Sequence, residues 1–181
     1  LAAAAIAPHS ASLHDGFTGV AWTLAHLARR VIGLVEGDPN DAVDEALLAL
    51  LSTNPWPGEY DLISGLVGIG TYSLERLPRT SARACLEAVV FRLAEMAESR
   101  TEGMTWWTSP ESLPAGQRAR NPQGYHNLGV AHGVPGVVGL LWIPVGYSLA
   151  FGTGNAFVGD FSKVGLAGVT MDSVTANFAS P

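Results

Sequence analysis

A histidine lies between glycines in the stretch Asn127-Leu-Gly-Val-Ala-His-Gly-Val-Pro-Gly-Val-Val-Gly-Leu-Leu141, where an apolar segment begins. Glycine has no Cβ, so Gly133 and Gly136 let the backbone turn without clashes and let the next helix begin flush against a neighbour. The residues after this pair give that helix an apolar face: Val137, Val138, Leu140 and Leu141. The stretch therefore predicts a loop that carries His132 and leads into a buried helix.

The same arrangement occurs twice more, so the pattern is a repeat. Gly16-Phe-Thr-Gly19 and Gly65-Leu-Val-Gly68 each precede an apolar segment. The interval between the second and third pairs is the longer one, and its extra length falls in residues 101–124, which are rich in Trp, Pro, Ser and Gly. A long loop at one end of a helical scaffold is a common place for a functional site.

Apolar residues at three- and four-residue steps predict helices over residues 14–33, 41–51, 69–77 and 81–99. Turn-forming Gly and Pro residues separate them, which indicates helical hairpins. The predicted fold class is all-α, built from helical-hairpin repeats that Gly-x-x-Gly opens, with an irregular Gly-rich C-terminal tail.

The composition of the chain argues against one class of partner and indicates a cellular compartment. The formal charge of −6 and the lack of a large Lys/Arg cluster argue against nucleic acid as a partner. The single cysteine, Cys85, excludes an internal disulfide and fits a reducing compartment, so we expect a cytoplasmic protein. The apolar run at residues 1–7 lacks the basic N-terminal segment of a signal peptide, which favours a helix cut from a longer protein.

Three motifs, taken in order, resemble the lanthionine synthetase C family, the cyclases of lantibiotic biosynthesis. They are Tyr60-Asp61-Leu-Ile-Ser-Gly65-Leu-Val-Gly68, Trp107-Thr-Ser-Pro110-Glu-Ser-Leu-Pro114 with Gly124-Tyr125-His-Asn127 after it, and Asn127-Leu-Gly-Val-Ala-His132-Gly133-Val-Pro-Gly136. The resemblance covers residues 10–141. It implies an α/α toroid with more hairpins than the three visible here, and hence an incomplete toroid.

The resemblance implies that a precursor peptide is the substrate and that a dehydratase is a further candidate partner. In the implied reaction a cysteine thiol adds to dehydroalanine or dehydrobutyrine and closes a thioether ring. Asp61 and His132 match the family's catalytic aspartate and histidine, and we expect them to face one cavity within about a water-bridged distance. Without the resemblance, a histidine between glycines is more often structural.

Aromatic residues of the long loop are candidate substrate-binding residues: Trp106, Trp107 and Tyr125. The two tryptophans can offer apolar walls to a peptide. They can equally pin the loop to the helical body, and the sequence leaves both interpretations open.

The zinc site implied by the family is not reproduced in this sequence. The resemblance places its ligands, one cysteine and an adjacent Cys-His pair, downstream of the matched region, whereas this chain has no cysteine after Cys85. We therefore predict no metal ligands and no cofactor, and expect a cyclase-like protein that is inactive as it stands. The alternative is a non-catalytic, peptide-binding helical module.

The character of the sequence changes after Leu141. Residues from Trp142 to about Gly168 resemble ammonium transporters at the end of a membrane helix, notably in Gly146-Tyr-Ser-Leu-Ala-Phe-Gly-Thr-Gly-Asn155. Glycines and Pro144 predict that the helix ends near Leu141. We therefore predict that residues 1–141 and 142–181 are two separate fragments that have been joined near Leu141/Trp142. A membrane fragment related to ammonium transport is the third functional alternative, although a membrane partner is not expected.

Overall fold

The computed structural model describes residues 10–28, 38–101 and 103–151, without the side chains of 143–151. The predictions for residues 1–9 and for most of the C-terminal segment, residues 152–181, lie outside this part. The described helices are α1 Phe17–Leu27, α2 Asp41–Leu51, α3 Leu66–Arg76, α4 Thr80–Met96, α5 Ala115–Arg120 and α6 Val134–Phe151, with a short 3-10 helix at Pro110–Ser112. The structure is mostly helical, as predicted.

The helices form two layers. In the inner layer α3 packs between α1 and α6, and in the outer layer α2 packs against α4, which also covers α3. Their facing sides make one apolar core, whose fully buried members include Leu47, Leu51, Ile69, Tyr72, Leu86, Val89 and Leu93. This arrangement is the helical-hairpin repeat predicted from the sequence, and each described inner helix begins at the residue after the first glycine of a Gly-x-x-Gly pair.

A small antiparallel sheet was not predicted. Strands β1 (Ala97–Arg100) and β2 (Gly103–Trp106) pair from Ala97 opposite Trp106 to Arg100 opposite Gly103. The helix expected to reach residue 99 instead ends at Met96. The hairpin starts the long loop and directs the chain back towards the loops that precede the inner helices.

Close approach of the backbone explains the repeated glycines. A Cβ on Gly16, Gly65 or Gly133 would lie 1.9, 2.3 or 2.0 Å from the carbonyl oxygen of the residue six positions earlier. That carbonyl accepts a hydrogen bond from the first amide of the helix in every repeat, as in Leu66 N to Glu59 O at 3.1 Å. The glycine is therefore required for space, since Gly16 and Gly65 have extended φ angles of −111° and −122°.

The three loops are joined side by side by backbone hydrogen bonds. Leu13 N donates to Ile63 O at 3.1 Å, and Leu62 N donates to Ala131 O at 3.1 Å. These pairs occupy the same positions in successive repeats. Residues far apart in sequence are thereby gathered at one end of the inner helices, where the candidate site lies.

Buried charges hold α2 against α3. Arg76 forms ion pairs with Asp44 at 2.7 Å and Asp38 at 2.8 Å, and Tyr72 donates to Asp44 at 2.6 Å. The side-chain hydrogen bond from Arg76 is the main reason that the pKa of Asp38 is lowered to about 2. Burial, and then the hydrogen bond to Asp44, raise the pKa of Tyr72. Asp38 thus stays ionised and Tyr72 stays protonated, as their hydrogen bonds in the network require.

The expectation that the last helix ends near Leu141 is wrong, because α6 continues to Phe151. Pro135 lies in the first turn, where a missing N–H is not needed. Val137 and Leu140 are buried at 0% and 3% exposure, so packing offsets the low helix propensity of the glycines. The helix therefore crosses the predicted boundary at Leu141/Trp142. Whether residues 142–181 form a separate domain stays a prediction.

Candidate active site

Asp61 and His132 are in direct contact. Their Oδ2 and Nδ1 atoms are 2.5 Å apart, although the residues come from the loops before α3 and α6. This is closer than the water-bridged distance expected from the sequence. The carboxylate side chain is only 9% exposed, whereas the imidazole side chain is 56% exposed. The pair therefore has a buried end, formed by the carboxylate, and an open end, formed by the ring.

The loop before α3 fixes the carboxylate. Ser64 N donates to Asp61 Oδ1 at 2.7 Å, which forms a local side-chain turn. The amides of Gly65 and Gly68 donate to the backbone oxygen of Asp61 at 3.2 and 3.3 Å. One carboxylate oxygen is thus occupied by its own loop, and the other is aimed at His132.

This contact determines which imidazole nitrogen is available for chemistry. An ionised carboxylate only accepts hydrogen bonds, so the proton of the imidazole lies on Nδ1 of His132, and this N–H donates a hydrogen bond to Asp61 Oδ2. In the neutral ring the lone pair is then on Nε2, at the other side of the imidazole. An exposed imidazole whose Nδ1 is held by a carboxylate can accept a proton at Nε2 from a bound group and return it later. The arrangement suits general acid–base chemistry.

The long loop contributes one accessible indole near its start. Trp106 is 3% exposed and donates its ring N–H to Leu93 O at 2.8 Å, so it fastens the loop to α4. Trp107 is 38% exposed and meets the ring of His126 edge to face at 4.8 Å. The burial and the hydrogen bond of Trp106 are those expected of a structural residue. The indole of Trp107, by contrast, has exposed surface that a peptide can contact.

Tyr125 connects the long loop to the loop of His132. Its backbone forms a pair of hydrogen bonds with Thr108, at 3.0 and 3.1 Å. Its hydroxyl accepts a hydrogen bond from Asn127 Nδ2 at 3.1 Å. Asn127 also provides the carbonyl that caps α6, through a 2.8 Å bond from Val134 N. Tyr125 is thus placed next to the loop that carries His132, and its role in substrate binding stays a prediction.

Thr108 is a site-supporting residue that the sequence reasoning missed. It forms a 2.8 Å hydrogen bond with the hydroxyl of Tyr60, which is 1% exposed and precedes Asp61. Burial raises the pKa of Tyr60, so the hydroxyl remains protonated. Tyr60 was visible as part of a motif, but nothing in the sequence identifies its partner 48 residues away.

The remaining described histidines lie outside the pair. His126 Nε2 is 3.4 Å from Glu98, and His26 Nδ1 is 3.3 Å from Glu75 while its ring stacks on Trp22. His14 donates its backbone amide within the first loop and to Ile63 O. Among the histidines that the structure describes, only His132 contacts a carboxylate from another repeat at the loop end of the inner helices.

Comparison with known families matches a family model described as lanthionine synthetase C-like protein to residues 3–145. This covers more than half of the chain. The chain belongs to the lanthionine synthetase C-like family. No curated protein matches the chain. The family match ends inside α6, beyond the boundary predicted at Leu141/Trp142.

The transporter resemblance of the C-terminal segment finds no support in these comparisons. Among the described helices, none is both long enough and apolar enough to cross a lipid bilayer. Residues 152–181, which carry much of that resemblance, lie outside the described part.

The residues of the described part do not fit the zinc that the lanthionine synthetase C family implies. No three His, Cys, Asp or Glu side chains are grouped there as metal ligands. Cys85 is 0% exposed in α4, and its Sγ lies 3.6 Å from Asp44 O. Burial raises the pKa of this thiol to about 12, whereas a zinc ligand must be a thiolate. The one cysteine of the chain is therefore unsuited to bind zinc in this fold.

Proposed function

We propose that this lanthionine synthetase C-like protein acts on a precursor peptide, in which it adds cysteine thiols to dehydroalanine or dehydrobutyrine, with His132 as the proton carrier. The observation that carries the proposal is the 2.5 Å contact between Asp61 Oδ2 and His132 Nδ1, with the ring open to solvent. An exposed ring suits a peptide substrate, because a macromolecule can reach it without entering a closed pocket.

The proposed step needs one proton to move from sulfur to carbon. His132 Nε2 removes the proton from the cysteine thiol, and the thiolate attacks the β-carbon of the dehydro residue. A C–S bond forms while the C=C electron pair shifts to give an enolate. The imidazolium then returns the proton to the α-carbon, so atoms and charge balance without a further reactant.

Asp61 supports both halves of this step. Its carboxylate stabilises the imidazolium while the enolate exists, and it keeps the proton on Nδ1 when the ring is neutral. Because Ser64 and the glycine amides hold Asp61, the ring does not need to be oriented by the substrate.

The test uses a synthetic peptide with one dehydroalanine and one free cysteine. Ring closure leaves the mass unchanged, so the readout is the fraction of peptide that a thiol-alkylating reagent can still modify. The missing zinc ligands predicted an inactive protein, whereas the Asp61–His132 pair can move the proton without a metal, so we expect the full chain to speed the loss of free thiol. His132→Gln should slow this loss by about 10²–10⁴-fold. Asp61→Asn should also slow it strongly, since the amide no longer fixes the tautomer.

His26→Gln is the matched control, because His26 lies on α1, where it pairs with Glu75 and stacks on Trp22, away from Asp61. It should leave the rate unchanged. If the wild-type chain does not exceed the rate of peptide alone, or if His132→Gln equals wild type, the catalytic proposal is wrong.

A peptide-binding module without catalysis is the second candidate. The misfit to zinc and the 38% exposure of Trp107 favour it. In the same experiment, this alternative predicts a change in tryptophan fluorescence on peptide addition that Trp107→Ala removes, with no loss of free thiol. Tyr125 would belong to the same surface, and Trp106 would act only as its anchor.

The substrate chemistry also defines the partner. Dehydroalanine arises when serine loses water, so a dehydratase must act on the peptide first and is the partner we propose. A buried free thiol in Cys85 is compatible with the cytoplasm, which is where we place this sequence of reactions.

A further inference from the structure

Helix α1 exposes an apolar stripe. Val20, Leu24 and Leu27 are 64%, 44% and 40% exposed, and their spacing places them on one side of the helix. We call these three residues the head face. The opposite side of α1 is buried, with Thr18 at 0%. Apolar side chains aligned in this way are typical of a surface that another helix covers.

The other two repeats show what the head face lacks. When the repeats are aligned on Gly16, Gly65 and Gly133, Val20 corresponds to Ile69 and Val137, which are 1% and 0% exposed. The next helical turn agrees, since exposed Thr23 corresponds to Tyr72 and Leu140 at 0% and 3%. Equivalent positions are thus buried in α3 and α6 and open in α1.

The buried counterparts face the preceding repeat. Leu140 of α6 reaches α3, where its Cδ2 would lie 2.6 Å from a Cβ on Gly70. Tyr72 of α3 donates to Asp44 of α2. By the same geometry, the head face of α1 points to the place of a repeat that precedes it, and the described residues put nothing there.

The opposite edge of the repeat array is open as well. Leu128 and Val130 in the third loop are 74% and 64% exposed, and Trp142 on α6 is 46% exposed. We call these three residues the tail face. The backbone ladder stops at the same edge. Val130 occupies the position at which Leu13 and Leu62 donate to the next loop, and within the described residues its amide has no acceptor.

The two edges are complementary. The ladder acceptors Ile63 O and Ala131 O correspond to His14 O in the first repeat, and within the part of the chain that the structure describes this carbonyl accepts no hydrogen bond. We propose that two copies of the chain associate head to tail, so that Val130 N of one copy donates to His14 O of its partner and the tail face covers the head face. A second copy is the occupant that continues both the helix spacing and the backbone ladder.

Such an interface is heterologous, because different surfaces of the two copies meet. That property gives a complementation test by light scattering and sedimentation of the full chain. The head variant carries Val20→Glu and Leu24→Glu, and the tail variant carries Val130→Glu and Trp142→Glu. Both change exposed side chains, and circular dichroism checks that each variant keeps the helical content of wild type.

We expect wild type to associate as concentration rises, while each variant alone stays monomeric. An equimolar mixture should form a one-to-one heterodimer and nothing larger, because it contains one intact head and one intact tail. Phe91→Glu is the matched control, since Phe91 is 45% exposed on the outer helix α4, away from both edges. It should associate like wild type.

Three results would overturn the proposal. Wild type that remains monomeric at every concentration would show that another occupant covers these faces. A tail variant that dimerises while the head variant does not would indicate a symmetric contact between two head faces. Equal weakening by Phe91→Glu would indicate unspecific apolar association. The test is independent of the proposed chemistry, since it measures mass alone.

Discussion

At the scale of single residues, the space around the backbone determines the geometry of the candidate site more than side-chain chemistry does. The carboxylate of Asp61 can reach His132 only because its loop folds tightly over the start of α3, with Gly65 beneath Glu59 O. The same crowding exists at Gly16 and Gly133. The glycines and the pair of titratable residues are therefore one structural unit.

Gly65→Ala should destabilise the protein and reduce any activity of the pair. The added Cβ would lie 2.3 Å from Glu59 O and 2.6 Å from Asp61 N, and both are backbone atoms that cannot move away cheaply. We expect a loss of about 1–3 kcal/mol in the free energy of unfolding, measured by urea titration. Gly116→Ala is the control, because no atom lies within 4 Å of its added Cβ. It should be neutral or stabilising by about 0.5–1 kcal/mol. Equal effects of the two substitutions would contradict the steric explanation.

At the scale of secondary-structure elements, features set by short stretches of sequence could be predicted, whereas features set by contacts between distant residues could not. The hairpin repeats could be predicted, because the glycine pairs and the apolar periodicity are visible within short stretches of sequence. The β1–β2 hairpin could not, since Ala97–Arg100 is short, polar and without alternation. The features of the candidate site divide in the same way into those that the sequence predicted and those that it did not. Asp61 and His132 were found by motif, whereas the Tyr60–Thr108 bond depends on the path of a long loop.

The Asp38–Arg76–Asp44 network between α2 and α3 is a further non-local feature, and it predicts a pH dependence. The pKa of Asp38 is about 2 in the folded chain and 3.8 ordinarily, so its stabilisation is complete above about pH 4 and is lost as pH falls through 2. The loss is at most about 2.5 kcal/mol. Urea unfolding at pH 6 and pH 2 should show that Asp38→Asn reduces this acid-dependent difference. Glu45→Gln, an exposed change on α2, should leave it as in wild type. An unchanged difference in Asp38→Asn would show that other carboxylates cause the acid sensitivity.

At the scale of the whole molecule, α6 connects the family-like region to the segment that follows. The sequence suggested two joined fragments because the residues after Leu141 resemble ammonium transporters and because Gly and Pro residues there lower the local helix propensity. In the structure one helix runs through that point, and its N-terminal half contributes Val137 and Leu140 to the core. The match to the family also ends within this helix, at residue 145.

Ending the chain at Leu141 should therefore reduce stability, in contrast to the small effect that a boundary at this position implies. The cut leaves residues 134–141 of α6, a length that is marginal for an isolated helix and that weakens the packing of Val137 and Leu140 against α3. We expect the midpoint of thermal unfolding to fall by about 5 °C or more relative to the full chain. A chain that ends at Phe151 keeps the whole of α6 and should unfold close to the full-length midpoint. If the chain ended at Leu141 unfolds cooperatively at that same midpoint, the second half of α6 contributes nothing to the fold and the boundary predicted from sequence is correct.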